Sequence, residues 1–197
     1  MTTRRQFILT GVCLGSGLSL LSCAPPPEAP SFPDIRFTGE PPFMLQASQV
    51  EIRTRYQPGD ADNAFPVSPL RAIQNWARDR LRASGQGGGP ARFTIADATA
   101  RITDLPLKGG ISGTFTDQVS QQYDVAVDAA LELLDSTGVA LRSARVTVSR
   151  SATVLQSASA NDRARTRYAL VRDMMSDFDR QAQARIGGGF GQYLLQG

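Results

Sequence analysis

The sequence predicts an α+β domain with two helices packed on one face of a four-stranded sheet, in the order β-α-β-β-β-α. Three observations carry this reading. Tyr123, Val125, Val127, Ala129, Leu131 and Leu133 alternate with Asp124, Asp128 and Glu132, the period of a half-buried strand. Ala164, Tyr168, Val171, Met175, Phe178, Ala182 and Ile186 recur at alternating four- and three-residue steps, the stripe of an amphipathic helix. Ser68-Pro69 opens a second helical stripe with a hydroxyl at the N-cap and proline in the first turn. Helices with one apolar stripe and strands with one apolar face bury each other, so the layers pair.

In chain order, the first strand is Val50 to Tyr56, where Glu51, Arg53 and Arg55 alternate with apolar residues. The polar stretch from Gln57 to Pro66 turns the chain into the first helix. That helix buries Leu70, Ile73, Trp76, Ala77 and Leu81 and is expected to run to about Ser84, with Gly85 as its stop. A second strand covers Arg92 to about Thr103. Its apolar phase slips near Ala96, from Phe93 and Ile95 to Ala98, Ala100 and Ile102, which predicts a bulge. The third strand follows, and Asp135-Ser136-Thr137-Gly138 turns into a fourth from Val139 to about Ser151. The last three strands form an antiparallel meander. The final helix starts near Asn161, and Gly187-Gly188-Gly189 should end or weaken it at about 1 kcal/mol per glycine relative to alanine. Phe190, Tyr193 and Leu194 continue the same stripe and are expected to fold back onto the core.

Before this domain, assigned to 47–197, lie two segments of different character. Residues 1–22 combine Arg4 and Arg5 with an apolar stretch from Phe7 to Leu21, too short to span a bilayer, which needs about 20 apolar residues. The stretch ends in Leu20-Leu21-Ser22-Cys23, which resembles the lipobox of bacterial lipoproteins. That resemblance implies cleavage after Ser22 and acylation of Cys23, whose several acyl chains would hold the protein to a membrane at about 0.8 kcal/mol per buried CH₂. The arginine pair followed by Phe7 fits both a twin-arginine signal and the positive end of a general-secretion signal. Ala24 follows the cysteine in place of the aspartate that resembles an inner-membrane retention signal, which points to the outer membrane, facing the periplasm. Residues 23–46 carry prolines at 25, 26, 27, 30, 33, 41 and 42 and read as a semi-extended tether.

Composition narrows the chemistry. The chain has 197 residues with 21 basic and 18 acidic side chains; loss of Arg4 and Arg5 with the leader leaves 19 basic, a net charge of +1. Apart from Lys108 every base is an arginine, without the clustering that a nucleic-acid partner requires. There is no histidine, and the two cysteines, Cys13 and Cys23, precede the domain. The imidazole and thiolate constellations of hydrolases and of metal sites are therefore excluded from it. Lys108 sits in Leu107-Lys108-Gly109-Gly110, the composition of a solvated turn, and Asp60-Ala61-Asp62-Asn63 lacks the loop and terminal glutamate of a calcium hand. The glycine runs lack the Gly-Lys-Ser/Thr ending of a phosphate loop. No catalytic residue, metal or cofactor is assigned, and the chain is read as no enzyme.

Three surfaces remain as candidates for a partner, one of them the apolar edge that Phe190, Tyr193, Leu194 and Leu195 offer where they do not fold back onto the core. On strand phase alone, Asp124, Asp128, Glu132, Glu51, Arg53, Arg55, Arg142 and Arg145 point away from the helices, forming a polar outer face held by cross-strand ion pairs. The loop from Leu105 to Asp117 carries Ile111 and Phe115, expected to tuck under the sheet edge. With a lipobox cysteine, a Pro-rich spacer, this element order and Trp76-Ala77-Arg78-Asp79-Arg80-Leu81 on the first helix, the chain resembles bacterial envelope accessory lipoproteins. These include the auxiliary lipoproteins of lipid-trafficking ABC transporters and the lipoprotein that plugs the lipopolysaccharide-assembly barrel. The aromatic-and-glycine opening of the latter is replaced here by Ala24 to Pro30. The resemblance implies a membrane-anchored accessory or binding subunit of a transport or assembly machine, with an envelope protein as partner. The alternative is an autonomous periplasmic lipid carrier, with its cargo between sheet and helices.

Overall fold

The computed structural model describes residues 30–107 and 117–195. Among them are seven strands and three helices: β1 (Phe43–Leu45), β2 (Val50–Thr54), α1 (Asp60–Asn63), α2 (Pro69–Arg80), β3 (Leu81–Ala83), β4 (Ala91–Asp97), β5 (Ala100–Asp104), β6 (Val119–Leu134), β7 (Ala140–Leu155) and α3 (Ala160–Gly189), with a 3₁₀ turn at Gly191–Tyr193. The fold is α+β, but it holds more elements than the four strands and two helices expected.

The long hairpin of β6 and β7 is the frame. On β6, Tyr123, Val125, Val127, Ala129, Leu131 and Leu133 are all buried, as their alternation requires. The turn between the strands is fastened by one carboxylate: Asp135 Oδ1 accepts from Thr137 N at 2.8 Å and Val139 N at 2.9 Å, while Gly138 takes a φ of 87° that favours glycine. The predicted second strand is two strands. β4 and β5 lie end to end along the same side of β6, β4 opposite Asp128–Leu133 and β5 opposite Gln121–Val125. The phase slip near Ala96 is the break between them, where the register shifts between Ile95 and Asp97. Five strands thus fill four columns, with β2 parallel to β4 on one side and β7 antiparallel to β6 on the other.

The helices cover one face. In α2, Ser68 Oγ accepts from Arg71 N at 3.2 Å and Pro69 occupies the first turn. The helix stops at Arg80, four residues before the expected Ser84. Leu81–Ala83 instead extends and pairs parallel with Phe43–Leu45, and this ladder outweighs helical propensity. Helix α3 starts in a capping box, with Ser159 Oγ accepting from Asp162 N and Asp162 Oδ2 accepting from Ser159 N. It runs through Gly187 and Gly188 and ends only at Gly189. Buried Ile186 and Phe190 fix the stripe on both sides of the glycines, which face open space.

Residues from 34 to 46, read from the sequence as the end of the tether, lie against the domain. Ile35, Leu45 and Ala47 are buried, and Arg36 and Asp34 bond to α2. The apolar residues between the prolines have no period of their own, but each finds a place in the core. The C-terminal stretch meets this strap from the other side. Gln46 N donates to Tyr193 O at 2.8 Å, and Leu195 N donates to Met44 O at 2.9 Å. Phe190 is buried and Tyr193 and Leu194 pack against the core, while Leu195 is 38% exposed.

Candidate functional site

The sheet face away from the helices is uncovered among the described residues, and its chemistry follows from register. Glu51 on β2 stands opposite Arg92 on β4, which stands opposite Glu132 on β6. Glu51 accepts from Arg53 Nη2 at 3.0 Å and from Arg92 Nε at 3.3 Å; the Arg92 hydrogen bond draws its carboxyl below the usual carboxylate range. Asp128 is gripped by Arg145 through two bonds of 2.8 and 2.6 Å and accepts a third from Thr147 Oγ1 at 3.1 Å. Those bonds, Arg145 first, hold its carboxyl below the usual range against the opposing effect of burial. Asp124 accepts from Gln122 Nε2 at 2.9 Å and from Ser151 Oγ. Among the described residues, Arg55, Arg101 and Glu132 make no ion pair on this face.

The break between β4 and β5 opens a depression of about 300 Å³ in this face, lined by Asp97, Thr99, Arg101, Asp124, Ala126 and Ser149 among others. Asp97 accepts from Thr99 Oγ1 within it. The lining offers hydrogen-bond donors and one unpaired guanidinium, a surface that can receive polar groups of a partner.

Most of the predicted face is brought together; Arg142 is not. It stands opposite inward-facing Leu133, with its guanidinium 5.6 Å from the ring centroid of Tyr193. An odd offset of three from Arg145 in a period-two strand puts the two on opposite faces. Asp62 is no free ligand either, since its Oδ2 accepts from Gly59 N and Tyr56 Oη, both at 2.8 Å. Cys23, Lys108, Ile111 and Phe115 lie outside the described residues.

Sequence reading missed a polar cluster inside the helical layer. Trp76 Nε1 and Arg80 Nε both donate to Asp179 Oδ1, at 2.7 and 2.9 Å, and Arg80 Nη1 donates to Pro41 O. The Arg80 guanidinium lies 4.7 Å from the Phe43 ring centroid, and its side chain is fully buried. One residue earlier, on the other side of α2, Asp79 takes Arg36 and the Phe37 N–H. The cluster ties α2, α3 and the strap together. A signal was present: Arg80 follows Trp76 by four residues and Ile73 by seven, so it lies on the apolar stripe of α2.

Comparisons with models of known families and with characterised proteins give no match. Among solved structures, the chain is similar to rare lipoprotein B from Shewanella oneidensis, at 12% identity and a TM-score of 0.41 over 71% of this chain and 95% of that one. It is similar to a minor lipoprotein from Acinetobacter baumannii, at 12% identity and a TM-score of 0.37 over 78% and 99%. A third is lipoprotein B from Nitrosomonas europaea, at 18% identity and a TM-score of 0.36 over 79% and 92%. All three scores lie below 0.5, so these likenesses fix neither family nor function.

Proposed function

We propose that the chain is a non-enzymatic lipoprotein of the bacterial envelope, anchored through Cys23 in the outer membrane and facing the periplasm. In this reading its domain serves as an accessory or binding subunit of a transport or assembly machine. The observation that carries the binding role is the asymmetry of the sheet. One face is sealed by α2 and α3, while the other presents Arg53, Arg101, Asp124, Asp128, Glu132 and Arg145 uncovered among the described residues. The Leu20-Leu21-Ser22-Cys23 sequence supports the anchor. No helix of the described residues is long and apolar enough to cross a membrane.

The carrier alternative needs room between sheet and helices. That layer is occupied where α2 and α3 meet the sheet: the Trp76 ring lies 5.5 Å from Phe93 and 5.0 Å from Phe178, and all three are buried. This favours the accessory role. The test is a mild-detergent pull-down of the full-length protein, cross-linked in its native cells and read by mass spectrometry beside a Cys23→Ala version. Recovery of one membrane complex, reduced in the unanchored version, is the expected result. Recovery of lipid alone, or of nothing above background, would overturn the accessory reading.

A further inference from the structure

We propose that the free edge of β7 is where an extended, acidic segment of a partner protein adds as a further strand of the sheet. This names a kind of partner for the accessory role and rests on that reading. Among the described residues β2, β5 and β7 each pair on one side only, and β5, like β2, is just five residues long. Strand β2 is five residues long and carries Glu51 and Arg53, the short charged edge that resists pairing. Strand β7 is 16 residues long, contains neither proline nor glycine, and pairs only with β6 among the described residues. Val146, Thr147, Val148, Thr153 and Val154 give it the β-branched composition that pairing favours. Its outward row of N–H and C=O groups is a template for another strand.

Geometry and charge then select the occupant. A second copy of this chain would set a strand with three arginines and no acid against its own like charges. Helix α3 lies along β7, covering Val146, Val148 and Val154 and fixed by Arg150 Nε to Asp177 Oδ2 at 2.5 Å. The chain's own Ala24–Pro30 cannot serve, since Pro25, Pro26, Pro27 and Pro30 lack the N–H groups a ladder requires.

The edge is basic. Strand β7 contains Arg142, Arg145 and Arg150 and no acid. Arg142 makes no ion pair among the described residues, and Arg145 and Arg150 remain 63% and 43% exposed beside Asp128 and Asp177. Arg180 shares Asp177 with Arg150, so two guanidiniums above the edge divide one carboxylate. Arg142 and Arg150 stand on the helix side of the strand and Arg145 on the other, and acidic side chains on the incoming strand complement them.

The test uses the full-length chain in mild-detergent micelles and a synthetic twelve-residue peptide in which glutamate alternates with valine and threonine. Amide hydrogen exchange is followed residue by residue, with a lysine-for-glutamate peptide as the control. The glutamate peptide is expected to slow exchange along β7 and leave β2 unchanged. Arg142→Glu, which removes no ion pair of the fold, should weaken that peptide about threefold. Three results would overturn the proposal: no slowing in β7 at millimolar peptide, equal slowing by the lysine peptide, or peptide-free slowing that rises with protein concentration, the mark of a second copy. No envelope component is present, so failure here is distinguishable from a pull-down that recovers no complex.

Discussion

Asp79, near the end of α2, receives Arg36 through two parallel bonds of 2.8 and 2.6 Å, joining the strap to the helical layer across 43 positions of sequence. Its side chain is only 3% exposed, and it also accepts from Phe37 N at 2.9 Å. The Arg36 hydrogen bond is the largest influence holding its carboxyl below the ordinary 3.8, with burial acting in the opposite direction. A depressed folded value means stability that is fully present above 3.8 and lost as pH falls through the lower, folded value. Asp79→Asn should therefore cost about 1–3 kcal/mol at neutral pH. The gap to the parent should narrow below pH 3.8, as read from urea midpoints across pH.

The buried cluster on α3 gives a larger effect. Asp179→Ala leaves the Arg80 guanidinium buried without its carboxylate and Trp76 Nε1 without its acceptor, and should cost about 3–5 kcal/mol. Adding Arg80→Met should restore part of that loss, since the uncompensated charge is then gone. Chemical denaturation of the single and double variants measures the coupling. Equal stability of the two variants would contradict this account.

Glycines at two ends of the domain should respond with opposite signs. Gly187 and Gly188 lie within α3 with nothing within 4 Å of where a β-carbon would stand, so Gly188→Ala should stabilise by about 1 kcal/mol. At Gly87 the φ is 148° and an added Cβ would stand 2.6 Å from Gln46 O, so Gly87→Ala should destabilise. Thermal midpoints of the two variants, moving in opposite directions, check both.

The open sheet face predicts a separation of binding from stability. Arg101 is exposed and forms no ion pair among the described residues, so Arg101→Glu should leave stability within about 0.5 kcal/mol of the parent, as read from thermal midpoints. In the cross-linked pull-down the same change should lower recovery of the partner. Unchanged recovery would remove the depression beside β5 from the docking surface.

How much of this was legible depends on the range of the interactions involved. The faces of β6, the Asp135–Gly138 turn, the phase slip beside Ala96 and the stripe of α3 are set by neighbours in sequence, and periodicity exposes them. The pairing of β1 with β3 is not local, and each strand has only three residues. Period-two alternation cannot show in so short a stretch, and the prolines before β1 suggest a spacer. The place of Arg142 was legible too: its odd offset from Arg145 sets it on the other face, as the register opposite Leu133 shows. The polar cluster escapes because Arg80 and Asp179 look like surface residues until the fold brings Arg80 and Trp76 to one oxygen of Asp179. Arg80's place on the apolar stripe is its one visible mark.

The closing bridge of the domain joins Leu45 to Leu194. The strap is thus among the first parts of the domain to be synthesised, and the stretch that flanks it is among the last. A chain emerging from the ribosome can assemble the β6–β7 hairpin early, but β1 lacks one of its two neighbours until residues 193–195 arrive. Contacts between such distant positions carry a high loop-closure cost and form late. The domain therefore reaches its finished state only after residues 193–195 have been made, with the strap the last part to be locked.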